Sequence, residues 1–337
     1  CGPERTLNIH LTYVPYIKSS DELKTKPTQH SVKTLMEYGI MPAILLCRSE
    51  NKLSRDIKEK IALFCNVEVQ SVFDVPDVSY TVYEVPLMFK QQGLHNRIFS
   101  KLGMEPKDPE IDDFKRFVDR IKKPVHSLNI GLVGKYTQYR DSYKSIIEAF
   151  IHAGSINNTS VNVKLVNSED IKPDNVKEII GSLDGILVGP GFGKRGIEGK
   201  IQAIKYAREN NLPFFGICLG MQCAVVEFAR HVAGLAGANS TEFDKDNPHP
   251  VICLLDEQRT ITDKGGTMRL GAHPARLVPG SRAAACYGCE EISERHRHRY
   301  ELNNAYRGQL EAAGMLIAGT SPDGSLVEIV ELPSHPW

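Results

Sequence analysis

Short apolar strands alternate with helical segments between residues 128 and 218, and this alternation constrains the fold more than any other feature. The strands read NIGLVG, VNVKLV, DGILVG and PFFGI, and the helical patterns cover residues 142–152, 174–182 and 198–210. Nearly continuous apolar strands joined by helices are typical of a parallel sheet that helices cover on both faces. Residues 1–104 repeat the alternation with the runs NIHLTYVPY and MPAILLCRS. The sequence therefore predicts an α/β protein with two domains, each with a mainly parallel sheet flanked by helices.

A charged segment at residues 105–127 separates the two alternating series. It has prolines near both ends and an amphipathic middle that predicts a helix. A chain of 337 residues is long enough for two domains. We therefore predict a first domain over residues 1–104, a linker over 105–127 and a second domain over 128–337.

The balance of charge and the use of cysteine exclude some classes of function. Lys and Arg together number 41, as do Asp and Glu, so the chain has no basic field of the kind that binds nucleic acid. No apolar run is as long as a membrane span, and the first residues do not resemble a signal peptide. Scattered cysteines, 8 in all, are typical of a reducing cytosol. We therefore expect a cytoplasmic protein that binds neither nucleic acid nor membrane.

Residues 213–222, PFFGICLGMQ, place a cysteine at a strand-to-helix turn. Such turns crowd the central residue, and Gly216 and Gly220 relieve the crowding. Cys218 would lie at the positive end of a helix dipole, which favours a thiolate. The alternative is a small buried hydrophobe, as most free cysteines are. The turn GPGFG at 189–193 also follows a strand, although taken alone it could be a plain turn. Parallel strands end at one edge of a sheet, so this turn and Cys218 should lie at the same edge. Their convergence favours the interpretation of Cys218 as a nucleophile.

Five motifs occur here in the order found in CTP synthases: GPGFGKRGIEGK, FFGICLGMQ, ANSTEF, GGTMRLG and ERHRHRYE. The second domain resembles the carboxyl-terminal half of these enzymes, a flavodoxin-like class I glutamine amidotransferase domain. The segments ELKTKPTQHSV and CRS resemble the last part of their amidoligase domain. The resemblance covers nearly the whole chain. It implies a ligase that uses ATP to aminate UTP to CTP with ammonia released from glutamine.

The resemblance also implies a glutamine site. Cys218 would attack the side-chain amide of glutamine, and the backbone N–H groups of Leu219 and Gly191 would bind the oxyanion. Glu242 would bind the ammonium group of glutamine and Arg299 its carboxylate, although either residue taken alone could be a solvated surface charge. The implied glutamine-binding residues are Gly191, Leu219, Gly220, Met221, Gln222, Glu242 and Arg299.

Nucleotide sites follow from the same resemblance. The implied contacts with UTP or CTP are Lys24, Thr25, Lys26, Pro27, Thr28, Gln29 and Lys60, and those with the adenine of ATP are Pro76, Asp77 and Val78. The family uses Mg²⁺ and ATP, is activated by GTP and assembles as a homotetramer. Its magnesium ligands and phosphate loop would precede residue 1, so no metal ligand is assigned here. Glycines predict lid loops at residues 194–199 and 265–271.

The histidine and glutamate that complete the family's catalytic triad are expected after residue 337. The ending LVEIVELPSHPW matches the strand that precedes them, so His335 is not expected to be the base. Two alternatives stay open. The chain could be catalytically inactive and only bind or assemble, or it could belong to another class I amidotransferase, which KTKPTQ and RHRHRYE argue against.

A zinc site is a rival interpretation of residues 286–298. Cys286 and Cys289 form a C-x-x-C pair, and His296 and His298 follow. Two cysteines and two histidines can bind zinc as a tetrahedron, but zinc motifs separate their pairs by a dozen or more residues. Here the pairs are closer, and the arginines that flank both histidines oppose a cation. We therefore predict no zinc at these residues.

Overall fold

The computed structural model describes residues 5–135, 137–254 and 269–336. The chain forms two structural units, one of residues 1–125 and 154–158 and the other of residues 126–153 and 159–337. Among the described residues, no helix combines the length and the apolar character that crossing a membrane requires.

The first unit contains a three-stranded parallel sheet. Its order is β1–β4–β5, and β2 and β3 form a separate antiparallel pair. The strands are β1 (Ile9–Tyr13), β2 (Tyr16–Ile17), β3 (Glu22–Leu23), β4 (Ile44–Ser49) and β5 (Val72–Pro76). The helices are α1 (Lys26–Glu37), α2 (Arg55–Cys65), α3 (Val85–Gln92), α4 (Leu94–Lys101) and α5 (Asp112–Lys122).

Helices cover this sheet on both faces. Because successive strand residues point to opposite faces, Leu45 packs with Val32 of α1 and Ile61 of α2, whereas Ile44 packs with Leu94 of α4. All five side chains are buried. The predicted covered parallel sheet of the first domain is therefore confirmed.

The second unit is larger, and its described residues form three sheets. Its strands are β6 (His126–Gly134), β7 (Thr159–Asn167), β8 (Gly185–Val188), β9 (Phe214–Gly216), β10 (Asn239–Ser240), β11 (Pro250–Leu254), β12 (Arg269–Leu277), β13 (Glu291–His298), β14 (Tyr300–Leu302), β15 (Leu316–Thr320) and β16 (Val327–Glu331). Its helices are α6 (Lys144–Ile156), α7 (Val176–Ile180), α8 (Ile197–Glu209), α9 (Leu219–His231), α10 (Arg282–Tyr287) and α11 (Asn304–Ala312).

The central sheet of this unit is parallel throughout, with the order β7–β6–β8–β9. This is the strand order of the flavodoxin-like arrangement. Every strand and helix predicted between residues 128 and 218 is present, with ends shifted by a few residues. The predicted flavodoxin-like α/β fold is therefore confirmed.

Two further sheets were not predicted. Strands β10, β11 and β14 form a mixed sheet, and β13, β12, β15 and β16 form an antiparallel one. The second unit is therefore a parallel core sheet with antiparallel additions, which places residues of the RHRHRYE motif on β13 and β14.

The segment predicted as a linker contains the helix expected in its middle, α5. Its residues up to 125 are grouped with the first unit. The boundary between the units lies two residues before the predicted end of the linker. Its role as a linker stays a prediction.

Helix α8 approaches the end of β7 closely. A Cβ atom added to Gly199 would lie 1.7 Å from the carbonyl oxygen of Ser168, so only glycine fits there. Ile201 and Ile204 of the same helix are buried in the core of the second unit. The first turn of α8 is therefore held against the sheet by backbone contact.

We expect Gly199→Ala to destabilise the second unit by about 1–3 kcal/mol, because the added methyl group must displace backbone. Gly308→Ala is the matched control, since Gly308 lies exposed within α11 and its Cβ would meet nothing within 4 Å. That variant should be more stable by about 0.5–1 kcal/mol through helix propensity. Urea unfolding measures both, and equal effects of the two substitutions would contradict the close approach.

Candidate active site

Cys218 lies at the turn between β9 and α9, as the sequence predicts. It is the N-cap residue of α9 and has φ 54° and ψ −108°, a conformation that a non-glycine residue adopts only under strain. A Cβ on Gly216 would lie 2.6 Å from the backbone of Gly220, and a Cβ on Gly220 would lie 2.1 Å from the carbonyl oxygen of Val188. Both glycines therefore permit the close packing that forces this turn.

The thiol of Cys218 is partly buried, and its Sγ lies 4.0 Å from the carbonyl oxygen of Arg297. Burial raises the pKa of Cys218, and the charges of Glu242 and Glu301 raise it further. The N–H of Leu219 and the charge of Lys200 lower the pKa. The helix therefore acts in the expected direction, but burial outweighs it in this state.

The GPGFG turn follows β8 and is held by three charged side chains. Lys200 Nζ donates to the carbonyl oxygen of Gly189 at 2.9 Å. Lys135 Nζ donates to the carbonyl oxygens of Phe192 and Gly193, each at 2.6 Å. On the other side of the turn, Glu242 Oε1 accepts a hydrogen bond from Gly193 N–H at 2.6 Å.

Gly191 lies against the residue that follows the candidate nucleophile. A Cβ added to Gly191 would lie 3.3 Å from Leu219 Cδ2 and 3.8 Å from Lys200 Nζ. Leu219 is the first residue of α9 and is buried. The structure therefore brings the two predicted oxyanion donors to the same side of the sheet, next to Cys218.

The remaining predicted glutamine contacts lie on α9 and between β13 and β14. Gln222 is buried, and its Nε2 donates to the carbonyl oxygen of Tyr300 at 2.9 Å. Arg299 lies next to Tyr300, between β13 and β14. Met221 and Cys218 both line a cavity of about 620 Å³ in the second unit. The cavity wall is mainly apolar, including Phe214 among its residues.

The residues of the rival zinc interpretation are separated by the structure. Both cysteines are exposed, and the Sγ of Cys289 lies 3.3 Å from the carbonyl oxygen of Glu291. The side chains of His296 and His298 instead lie near Glu328, with one ligand atom of each within 4.8 Å of the others.

Arginine already compensates the acidic groups of this histidine cluster. Arg269 Nη1 lies 2.5 Å from Glu328 and 3.8 Å from Glu301. His296 Nε2 lies 2.8 Å from Glu328, and His298 Nδ1 lies 3.0 Å from Glu301. We interpret the cluster as an internal charge network that supports the strands beside Cys218.

The predicted UTP segment lies at the start of α1 in the first unit. Thr25, Thr28 and Gln29 are buried. Gln29 Nε2 donates to Thr25 Oγ1 at 3.0 Å, and Thr28 Oγ1 donates to the carbonyl oxygen of Tyr13 at 3.0 Å. These three side chains therefore support the segment, while Pro27 is exposed on its surface.

The lysines of the UTP prediction reach solvent. Lys24 Nζ pairs with Glu22 at 2.6 Å, and Lys26 Nζ lies 5.9 Å from the centre of the Phe64 ring. The hydrogen bond and charge of Lys24, together with the charge of Lys60, lower the pKa of Glu22. The structure therefore brings Lys24 and Lys60 to one side of the first unit.

The predicted adenine contacts lie at the carboxyl end of β5. Pro76 is its last residue, and Asp77 N–H donates to the carbonyl oxygen of Ser49, at the end of β4, at 3.0 Å. Asp77 Oδ1 also accepts from Arg48 Nε at 3.2 Å. Val78 follows in the same loop. This edge of a parallel sheet is where ligands bind in such folds.

The structure describes one predicted lid loop, the last three residues of the other, and His335. Residues 194–199 lead into α8, and Gly196 is its N-cap residue with φ 70°. Of residues 265–271, only the last three are described, at the start of β12, and the others lie outside the described residues. His335 is buried, and its Nε2 lies 3.1 Å from the carbonyl oxygen of Ala207.

Sequence reasoning missed Lys135 and Lys200. Lys200 follows Ile197 by three positions and precedes Ile204 by four, so it lies on the apolar stripe of α8. That placement was the available signal, because a lysine on a buried helix face needs a polar partner. Lys135 follows the apolar end of β6 and carries no comparable signal.

Comparisons with known proteins agree for both units. The family model described as CTP synthase N-terminus matches residues 1–104, and the model described as Glutamine amidotransferase class-I matches residues 139–337. Two curated CTP synthases, from Cytophaga hutchinsonii and Flavobacterium johnsoniae, are each 55% identical to the chain over 337 residues. The matches cover 100% of this chain but only 62% and 63% of those relatives. The chain therefore spans less than two thirds of their length.

A solved structure is also similar to the chain. It is the glutaminase domain of Trypanosoma brucei CTPS with bound acivicin, and it is 39% identical with a TM-score of 0.58. The match covers 62% of this chain and 83% of that chain.

The strained backbone at residue 218 generates a prediction about stability. We expect Cys218→Gly to be more stable than Cys218→Ala by about 1–2 kcal/mol, because glycine adopts a positive φ without strain. Urea unfolding measures the stability of both variants. Because both lack the thiol, the effect of its loss cancels in the difference between their free energies of unfolding. Equal stability, or greater stability of the alanine variant, would contradict the strained turn.

Proposed function

The chain belongs to the class-I glutamine amidotransferase family, and we propose that its second unit hydrolyses glutamine at Cys218 to supply ammonia for the amination of UTP to CTP. The observation that carries this proposal is the placement of Cys218 beside Leu219 and the glycine-rich turn at Gly191. The relatives named CTP synthase, which resemble the chain over its whole length, support the identity of the product. The match of residues 1–104 to the CTP synthase model favours this reaction over that of another class I amidotransferase.

In the proposed reaction, Cys218 Sγ forms a bond to the carbonyl carbon of the glutamine side chain. The carbonyl oxygen becomes an oxyanion, which the N–H groups of Leu219 and Gly191 stabilise. The proton of the Cys218 thiol passes to the nitrogen, the C–N bond breaks, ammonia leaves and a thioester remains. Water hydrolyses the thioester to glutamate. We assign the nucleophile and the oxyanion donors to this chain and assign no base among its described histidines.

Two charged side chains are proposed to bind the ends of glutamine. Glu242 would bind the ammonium group while its Oε1 also accepts from Gly193 N–H. Arg299 would bind the carboxylate; it lies in the chain between Arg297, whose carbonyl oxygen approaches Cys218, and Tyr300, whose carbonyl oxygen accepts from Gln222. Two side chains of opposite charge match the two charged ends of an amino acid, and the buried Gln222 is bonded to Tyr300, the residue after Arg299.

The first unit is proposed to contribute to the nucleotide site. Lys24, Lys26 and Lys60 present positive charge of the kind that binds a triphosphate, whereas the partners of Thr28 and Gln29 lie within the protein. ATP, with its adenine near residues 76–78, would activate the O4 of UTP as a phosphate ester. Mg²⁺ would neutralise the triphosphates.

Several wider features of the proposed enzyme rest on the family alone. The family resemblance implies magnesium ligands before residue 1, so we assign none to this chain. GTP as activator and assembly as a homotetramer follow the resemblance. A cytoplasmic location is supported by the free, buried thiols of Cys47, Cys65 and Cys223.

The proposed nucleophile can be tested by covalent labelling. We expect a glutamine-like chloroketone to modify Cys218, because the pocket should place the reagent beside its sulfur, and added L-glutamine should slow the modification. Peptide mass spectrometry measures the modified fraction at each cysteine. The variant Cys218→Ser should lose the label, and Cys286→Ser should keep it, since Cys286 is an exposed thiol.

Modification of Cys286 or Cys289 at the rate of Cys218, without protection by glutamine, would refute a glutamine site. The T. brucei relative was solved with acivicin bound. Acivicin should therefore slow the chloroketone labelling of Cys218, as we expect glutamine to do.

The proposed nucleotide contacts generate a second test. Lys24→Met and Lys60→Met should each weaken UTP and CTP binding about tenfold, because each removes one charge from the triphosphate site. Calorimetric titration measures the affinity. Lys115→Met, an exposed lysine on α5, removes the same charge elsewhere in the unit and should leave binding unchanged. Equal weakening in all three variants would indicate a non-specific effect of charge.

A further inference from the structure

Two buried lysines lie beneath the glycine-rich turn, and the proposed reaction does not use them. The side chain of Lys200 is fully buried, and Lys135 is 7% exposed. Taking an ammonium group out of water is costly unless hydrogen bonds and opposite charge compensate it. Among the described residues, neither lysine has a carboxylate within ion-pair distance, and their hydrogen bonds go to backbone carbonyl groups. Such an arrangement needs another explanation.

The hydrogen bonds of the lysines fix the peptide groups on both sides of Gly191. Lys200 holds the peptide group between Gly189 and Pro190 through its oxygen. Lys135 holds the peptide group between Phe192 and Gly193 through its oxygen, and Glu242 holds the same group through its N–H. Because the chain is anchored on both sides of this short segment, rotation of the peptide group that carries the N–H of Gly191 is restricted.

The charges around Lys200 identify which anion it can compensate. The groups that interact with Lys200 are Cys218 and Cys223 from the start of α9 and Lys135 from the end of β6. Complete burial raises the pKa of Cys223 to about 12, so this group stays a neutral thiol. Cys218 is the remaining acid, and Glu242 and Glu301 both oppose its ionisation.

The charge of Lys200 changes within the pH range that an alkylation experiment can cover. Burial lowers the pKa of Lys200 to about 8, so its positive charge is present below that pH and is lost above it. Burial also lowers the pKa of Lys135, whose charged neighbours include Glu242, Arg195 and Glu169.

We propose that Lys200 and Lys135 are positioning residues of the glutaminase site: both fix the turn that presents the N–H of Gly191, and the ammonium group of Lys200 stabilises the thiolate of Cys218. This inference rests on the proposed function, since it takes Cys218 as the nucleophile. The two lysines divide the work: Lys135 Nζ donates to the turn and faces the charge of Glu242, whereas the charge of Lys200 lowers the pKa of the Cys218 thiol.

The test compares two reagents. Iodoacetamide reports thiolate formation at Cys218, since the thiolate is the reacting species, and the glutamine-like chloroketone reports the assembled site as well. In Lys200→Met, alkylation of Cys218 by iodoacetamide at pH 7 should fall about tenfold, the effect of one unit in the thiol pKa. The difference from wild type should narrow above pH 8, where Lys200 loses its proton. Cys286 in the same sample is the internal reference.

Lys205→Met is the matched control, because it makes the same change on the same helix at a partly exposed position. It should leave both reagents at wild-type rates. Lys135→Met should keep the iodoacetamide rate within about twofold while the chloroketone rate falls about tenfold, which a general loss of structure would not produce. A midpoint of thermal unfolding for Lys200→Met that equals or exceeds that of the wild type would support a functional role, because it would show that the buried lysine does not stabilise the fold.

If iodoacetamide alkylates Cys218 in Lys200→Met at the wild-type rate across pH 6.5–9, the proposed role of Lys200 is overturned. If that variant does not fold, Lys200→Gln gives the same decision, because it retains a donor for Gly189 and removes the charge. The proposed role of Lys135 is overturned if both labelling rates of Cys218 fall in Lys135→Met, or if neither rate falls. Cys218 that reacts with iodoacetamide but shows no glutamine-protected chloroketone labelling in wild type would instead refute the proposed function.

Discussion

The contact between the first turn of α9 and the end of β8 determines the rest of the site. Gly220 approaches the carbonyl oxygen of Val188 so closely that no side chain fits between them. This approach bends the chain sharply after β9, and the bend gives Cys218 its positive φ. The same contact carries Leu219 to the neighbouring glycine-rich turn. The proposed nucleophile and the proposed oxyanion donors thus depend on one backbone contact, because the residues that carry them are adjacent to it in the chain or in space.

The electrostatics of the site come from parts of the chain that are far apart in sequence. Burial opposes ionisation of Cys218, the N–H of Leu219 favours it, and Lys200 and Glu242 act in opposite directions. Glu242 also bonds to the turn that Lys135 holds. In the proposed glutamine site, a substrate ammonium group that neutralised Glu242 would therefore reduce the repulsion between Glu242 and the thiolate of Cys218. Binding of substrate and activation of the nucleophile would then be coupled through one carboxylate.

Local patterns predicted the parallel sheets but not their additions. Strands such as β6 and β8 contain apolar runs, which can be recognised as strands from residues adjacent in the sequence alone. The pairing of β12 with β13 joins residues 269–276 to 291–298, and the polar RHRHRYE motif gives no strong period. The position of Cys218 followed from its glycines, whereas the inward direction of Thr28 depends on a contact with Tyr13 that no local pattern contains. Roles taken from the family, such as that of Arg299, stay predictions.

The position of β9 at the margin of its sheet has a further consequence. Among the described residues β9 pairs with β8 alone, and Phe215 in its middle is 49% exposed. Phe215 also lines the cavity that Cys218 lines. An exposed apolar side chain favours contact with other apolar surfaces. Any molecule that covered Phe215 would therefore also limit access to the thiol of Cys218.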